Sequence, residues 1–258
     1  MTTAIIGIGS MGGALARGFL ASGMEPSTLI LCNRTPSKLE PFKASGAVLT
    51  TDCHEAAQAA DIILLGVGHD DIEGMVEEIA SIDLTGKIIV SLGAGTGTDT
   101  IHEIIRIEGG TQPAVAVAIP NTAAAVCRST TFIAYDNFDP VPEVEQLFER
   151  VGSVTTVFES ELPVYTALAS CGIAFAMRYI RAATVAGVEL GVRASEAQRI
   201  VASTVAGAAA LLSQDGVHAE AEIDKVTTAG GITIRGLNAM ETAGFTGSVI
   251  AAHKACRK

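Results

Sequence analysis

Tryptophan is absent, aromatic residues make up only 4% of the chain, and 17 Lys and Arg face 28 Asp and Glu. With a formal net charge of -11 and a pI near 4.9, the surface lacks general basic character. A nucleic-acid or anionic-membrane partner is therefore not expected. Cysteine is sparse and scattered: Cys32, Cys53, Cys127, Cys171 and Cys256 form no C-x-x-C pair and no Cys/His grouping at zinc spacing. That pattern excludes a disulfide scaffold and a structural zinc site, and it fits reduced thiols in a cytoplasm. No metal is expected. No apolar run reaches the roughly 18 residues of a membrane span, and Met1 leads straight into strand-like sequence without a cleavable signal. The expectation is a soluble, cytoplasmic protein without a membrane partner. Internal repeats and low-complexity tracts are also lacking.

What the chain has in excess is aliphatic surface. Its mean hydropathy of +0.41 is high for a soluble monomer, so part of that surface is expected in a subunit interface. The 258 residues suit one dinucleotide-binding domain and one smaller unit.

The stretch Ala4 to Phe19 organises the first half. Ala4 to Ile6, with Ile8, reads as a buried strand, and Gly7, Gly9 and Gly12 then open an apolar helical run at G-x-G-x-x-G spacing. Gly7 permits a tight turn, Gly9 lets a pyrophosphate approach the backbone, and Gly12 allows close helix-to-strand packing. The helix N-terminus presents unpaired N–H groups to the phosphates. A second strand, Thr28 to Leu31, ends in Cys32-Asn33-Arg34-Thr35. An NAD site usually places a carboxylate there, whereas Asn33, Arg34, Thr35 and Lys38 offer donors and positive charge to a 2′-phosphate. NADP(H) is therefore favoured over NAD, although Lys38 also reads as a solvated loop residue.

Strand and helix alternate beyond this point, as a doubly wound sheet requires. Helices are expected over 38–45, 54–60, 71–82, 100–107 and 142–151, and strands over 47–49, 62–67, 87–92, 114–118, 130–135 and 154–158. From Pro163 strand signals vanish. Val164 to Leu190 reads as one long apolar helix stopped by Gly191, and Ser195 to Leu212 as a second, with Ser195 as N-cap and Gln198 at the capping-box position. Such apolar helices imply packing against a second subunit. Asp224 to Thr233 then leads into a helix over Ile234 to Ala243. From its residues alone, Thr228 to Thr233 is either a carboxylate site built from glycine N–H groups and hydroxyls or a capped helix start with a flexible turn.

Together these pieces resemble the pyrroline-5-carboxylate reductase family. The resemblance rests on the N-terminal GIGSMGG, the strand-end Asn33-Arg34-Thr35, the Ser91 to Gly95 turn, Pro120-Asn121-Thr122, Thr166-Ala167-Leu168, and Asp224-Lys225-Val226-Thr227 through Gly230-Gly231 and Thr233. It implies an α/β fold: an N-terminal Rossmann dinucleotide-binding domain over 1–160 and a C-terminal all-α dimerisation and substrate-binding domain over 161–258. It implies NADPH-dependent hydride transfer to a cyclic imine carboxylate, giving L-proline, in a homodimer or a larger assembly. It further implies that Ser10, Met11, Val67, Gly68 and Asn121 join Gly7, Gly9, Gly12, Asn33, Arg34, Thr35 and Lys38 at the cofactor. Thr228, Gly230, Gly231 and Ile232 would hold the substrate carboxylate, and Thr233 would place its hydroxyl beside the imine nitrogen as the catalytic group.

The chain departs from the family pattern at several positions. Val67-Gly68-His69 replaces Val-Lys-Pro, Val117 stands where an arginine is usual, Ala123 replaces a proline, and Ala169 to Phe175 replaces Ser-Gly-Ser-Gly-Pro-Ala-Tyr. Thr228-Ala229 replaces Ser-Pro ahead of the paired glycines. Two alternatives follow: a reductase of a different imine, and a non-catalytic NADP-binding paralogue. A β-hydroxyacid dehydrogenase is the weaker rival, because Val164 to Leu190 lacks the lysine such an enzyme needs. His69 reads either as a cofactor-side contact or as a solvated loop residue.

Overall fold

The computed structural model describes residues 1–93, 95–136 and 141–256. Ala94, the middle of the Ser91 to Gly95 turn, lies outside the described residues. By packing, the chain divides into two units, Met1–Ser170 and Cys171–Lys258.

The first unit is built on eight strands: β1 (Thr3–Ile6), β2 (Leu29–Cys32), β3 (Val48–Thr50), β4 (Ile62–Leu65), β5 (Ile88–Ser91), β6 (Ala114–Ile119), β7 (Ser129–Tyr135) and β8 (Gly152–Thr156). They form one sheet in the order β3-β2-β1-β4-β5-β6-β7-β8. All neighbours are parallel except β6 and β7, where Val117 pairs with Ala134 across an antiparallel ladder. The order reverses at β1, so the C-terminal ends of β1, β2 and β4 meet at a topological switch point.

Parallel strands covered on both faces read as continuous apolar runs, and β4, Ile-Ile-Leu-Leu, is buried throughout. The two-residue period then divides the side chains. Ile5, Leu31 and Leu64 face α1 (Ser10–Ala21) and α5 (Pro142–Glu149), where Leu15, Phe19 and Phe148 close the layer. Phe19 meets Phe148 edge-on, with centroids 6.4 Å apart. Ile6, Ile30 and Ile63 face α2 (Cys53–Ala59), α3 (Ile72–Ile79) and α4 (Thr98–Ile107), packing with Ile72, Val76 and Ile101.

The stretch 38–45 is not a helix. It forms two 3₁₀ turns, Pro36–Lys38 and Glu40–Phe42. Pro41 lacks an N–H and its ring would strike the preceding turn of an α-helix, so regular pairing cannot develop.

The second unit is entirely helical. After α6 (Leu162–Tyr165), which closes the first unit, Thr166–Cys171 adopts a π-turn. Then come α7 (Gly172–Glu189), α8 (Ala194–Leu212), α9 (Ala219–Lys225), α10 (Ile232–Thr242) and α11 (Phe245–Ala255). The single helix expected over Val164 to Leu190 is thus interrupted by wider i→i+5 winding. Gly191 ends α7 with φ +92°. Only Val192 and Arg193 remain as the link, so α8 starts with Arg193 as N-cap, and Ser195 lies inside the helix rather than capping it.

Helices α7 and α8 approach closely, since a Cβ on Gly187 would lie 2.9 Å from Cβ of Ala197. Yet among the described residues of α7 to α11 only Thr184 and Ala197 are fully buried, while Val185 is 55% and Leu190 84% exposed. By length and composition the segment Glu159–Glu189 is apolar enough to cross a membrane, which overturns the expectation that no run reaches that size. The same composition serves a helix whose apolar face meets another protein surface.

In the first unit, α1 lies against the 3₁₀ turn Thr122–Val126, and a Cβ on Gly18 would sit 2.1 Å from the Ala124 carbonyl oxygen. Gly18→Ala is therefore expected to cost about 1–3 kcal/mol by overpacking and to lower the thermal midpoint by several degrees. A midpoint equal to that of the parent chain would contradict the close approach.

Candidate functional site

The turn after β1 is shaped by three glycines in mutual contact. Gly7 has φ +103°, and a Cβ there would lie 2.6 Å from the Gly66 carbonyl carbon. A Cβ on Gly12 would meet the Gly7 oxygen at 2.1 Å, and one on Gly66 would meet the same oxygen at 2.8 Å. No side chain fits at any of the three, so β1, the start of α1 and the end of β4 are held at backbone distance. Gly9 is different: a Cβ there would find nothing within 4 Å. Its surroundings are open, as the approach of a ligand requires.

Gly9 is the N-cap of α1, with no side-chain cap and no acidic residue in the first turn. The N–H groups and the partial positive charge of the helix end are left for an anion. Asn33 locks this loop to β2: its Oδ1 accepts from the Ile8 N–H at 2.9 Å and its Nδ2 donates to the Thr35 carbonyl at 3.2 Å. Both ends of the amide are engaged within the protein, whereas Arg34, Thr35 and Lys38 are exposed.

A cavity of about 300 Å³ opens here. Gly7, Gly9, Asn33, Arg34, Thr35, Lys38, Val67 and Gly68 line it, as do Ile6, Cys32, Cys53, Gly66, Asp71 and Met75, which the motif spacing did not single out. Ser10, Met11 and Gly12 form the first turn of α1 behind this lining. Asn121 does not line the cavity. It is 7% exposed; its Oδ1 accepts from the Ala123 N–H at 3.0 Å and its Nδ2 donates to the Ala169 carbonyl at 3.4 Å.

The two cysteines of the cavity are neutral thiols. Burial, followed by the charges of Asp52, Glu78 and Glu55, pushes Cys32 up to about 11. Cys53 is pushed up to about 12, first by burial and then by its hydrogen bond to Glu78, with Sγ and Oε1 2.9 Å apart. Asp52, Cys53 and His54 hold donor atoms near one another. However, the Asp52 carboxylate caps α2 by accepting from the His54 and Glu55 N–H groups. A protonated Cys53 is a poor metal ligand.

A second cavity, of about 150 Å³, lies at the loop before α4, lined by Gly95, Thr96, Gly97, Val117, Glu159, Leu162 and Pro163. Glu159 replaces a local cap: its Oε2 accepts from the Thr98 N–H at 3.2 Å and from the Thr98 hydroxyl at 2.9 Å. A Cβ on Gly97 would lie 2.2 Å from Oε1 of Glu159, and one on Gly95 would lie 1.6 Å from Cε1 of His69. His69 thus lies against Gly95 while remaining exposed. Glu159 left no local signal, because its partner is distant in the chain.

In the second unit, Thr228 to Thr233 form one exposed turn and helix start. Gly230 has φ +71°, and the Gly231 N–H donates to the Thr228 carbonyl at 2.9 Å. Gly231 is the N-cap of α10, without a side-chain cap. The helix begins at Ile232, two residues before the expected Ile234, so Thr233 sits in its first turn. Ile232 is 81% exposed. The segment offers free N–H groups and a hydroxyl at a helix N-terminus, suited to a small carboxylate.

Residues 159–258 match the model for pyrroline-5-carboxylate reductase dimerisation, and residues 2–95 match that for NADP oxidoreductase, coenzyme F420-dependent. Pyrroline-5-carboxylate reductase 1 of Dictyostelium discoideum is 35% identical over 96% of this chain, which spans only 47% of that relative's length. Pyrroline-5-carboxylate reductase 2 of the same organism is also 35% identical, over 96% of this chain and 88% of its own. Among solved structures, the pyrroline-5-carboxylate reductase of Coxiella burnetii superposes with a TM-score of 0.82 at 26% identity, covering 99% of this chain and 95% of that one. The Plasmodium falciparum pyrroline carboxylate reductase with NADP bound shares the fold, with a TM-score of 0.88 at 22% identity and the same coverage. On sequence identity sustained over 88% of a relative, with the architecture shared from end to end, the chain belongs to the pyrroline-5-carboxylate reductase family.

Proposed function

We propose that this protein is an NADPH-dependent reductase that converts pyrroline-5-carboxylate to L-proline. The observation that carries the reading is the cavity at the switch point, where an open Gly9 and an uncapped helix N-terminus stand beside Arg34, Thr35 and Lys38. That donor set suits a dinucleotide with a 2′-phosphate. Bound NADPH supplies the hydride for the C=N carbon.

The chain's own residues position the reactants. The first-turn N–H groups of Ser10, Met11 and Gly12, with Gly7 and Gly9, would hold the cofactor's pyrophosphate, and Asn33 keeps that loop in place. Val67 and Gly68, which line the cavity, would border the remainder of the cofactor, and Asn121 would support it through the turn it caps. At the other reactant, Thr228, Gly230, Gly231 and Ile232 hold the carboxylate, and the Thr233 hydroxyl donates to the imine nitrogen. Positioning of this kind needs no strong acid or base: the neutral imine nitrogen accepts from the Thr233 hydroxyl, which can relay a proton from water as the hydride arrives at carbon.

A homodimer, alone or within a larger assembly, is supported by the match to the dimerisation model and by the uncovered apolar residues of α7 and α8. The five free cysteines support a reducing cytoplasm. One observation favours a second reading, a reductase of a different cyclic imine: Val117 lines the smaller cavity where the family usually has arginine.

Steady-state nicotinamide absorbance with the purified protein, NADPH and pyrroline-5-carboxylate should show oxidation matched one-to-one by proline. Turnover confined to another imine would establish the second reading, and cofactor binding without turnover would assign a non-catalytic role. Thr233→Val is expected to lower kcat roughly tenfold to a hundredfold with the KM for NADPH unchanged. A variant with the parent kcat would remove Thr233 from the chemistry.

A further inference from the structure

Helices α7 and α11 pair antiparallel along a seam of side-chain rungs. Tyr179 meets Phe245 with ring centroids 6.4 Å apart, and Phe175 meets His253 at 4.9 Å. One further turn toward the start of α7 stands Cys171, whose thiol donates a hydrogen bond to Cys256 at the end of α11. Positions 171, 175 and 179 recur every four residues on one helix face, and their partners run the opposite way along α11, at 256, 253 and 245, so the thiol pair stands beyond the Phe175–His253 contact at the same end of the two helices. Both thiols are free and partly accessible. Neither lines the apolar groove of about 810 Å³ that opens between these helices.

We propose that Cys171 and Cys256 form a redox modification site, oxidised by a low-molecular-weight disulfide to an intrachain bond that ties the start of α7 to the end of α11. Cys171 is the hydrogen-bond donor, and burial pushes its thiol up. Attack therefore starts at Cys256. Its thiolate displaces one thiolate from the reagent disulfide and forms a mixed disulfide. Cys171 then gives its proton to solvent, attacks the Cys256 sulfur and displaces the second thiolate. The protein loses two electrons and two protons, and the reagent disulfide becomes two thiols.

The remaining described thiols are poor competitors. Cys32 and Cys53 are pushed up to about 11 and about 12, and the Cys127 thiol donates to the Gly18 carbonyl at 3.5 Å. Linking positions so far apart in the chain restricts the unfolded state, so oxidation is expected to raise the melting midpoint.

The test treats the full-length protein with oxidised glutathione, quenches by alkylation, and reads intact mass and non-reducing peptide maps. The expected result is a loss of two hydrogens, a peptide joining Cys171 to Cys256, reversal by dithiothreitol, and a midpoint higher by several degrees in the oxidised form. A stable glutathione adduct without the link, a bond to another cysteine, or a bond between subunits would overturn the proposal. Cys256→Ser should lose both the link and the oxidant-dependent shift. Because connectivity is read on the parent chain, a poorly folding variant leaves the test intact.

Discussion

The contact of Gly7, Gly12 and Gly66 is the constraint from which the rest of the cofactor unit follows. With Gly12 and Gly66 both pressed on the Gly7 carbonyl oxygen, helix α1 must start directly over the end of β1, and β4 must end beside it. Helix α1 therefore points its uncapped N-terminus at the edge where the strand order reverses. Parallel register then brings the end of β2 alongside, Ile6 opposite Cys32, so Arg34 and Lys38 line the same cavity as Gly7 and Gly9. Asn33 converts this adjacency into a bond by capturing the Ile8 N–H. Backbone packing sets the place of the cavity, and a few side chains at one strand end give it cationic groups.

The second unit obeys the opposite constraint. The first unit buries aliphatic side chains on both faces of its sheet, whereas α7 to α11 leave Val185, Leu190 and Ile200 largely uncovered. A bundle in which only Thr184 and Ala197 are fully buried among the described residues gains little from its own core, since stabilisation follows apolar area removed from water. A second copy supplies that burial in the proposed homodimer. The small residues Gly187 and Ala197, in contact between α7 and α8, give the unit its internal cohesion. The π-turn at Thr166–Cys171, where the polypeptide enters this unit, is the kind of irregularity that recurs at functional sites.

The alternation of strands and helices was legible because each parallel strand is a short aliphatic run closed by glycine or a polar end. The glycine turn after β1 was legible because Gly7 and Gly12 leave no room for a side chain. Local rules failed where distant atoms intervened. Glu159 caps α4 from a remote part of the chain, and no spacing rule links it to Thr98. Cys53 and Met75 enter the cofactor cavity from helices whose apolar pattern reads as ordinary core. The long apolar helix was correctly placed, but its π-turn has no sequence mark, and Pro41 outweighed the helical pattern around it. Helices α9 and α11 were not foreseen. The first is short and capped by His218, whose Nδ1 accepts from the Glu220 N–H at 3.3 Å, and the second is divided from α10 by Gly244 at φ +80°.

Selection of a 2′-phosphate at the end of β2 is the central claim, and a calorimetric comparison of two cofactor fragments tests it most directly. Titrations of the parent chain and of Arg34→Ala with 2′-phospho-ADP-ribose and with ADP-ribose isolate the phosphate from the rest of the dinucleotide. The parent should bind the phosphorylated fragment at least about tenfold more tightly, equivalent to roughly 1.4 kcal/mol, and the variant should lose most of that margin while retaining its affinity for ADP-ribose. Equal binding of the two fragments by the parent chain would contradict the account.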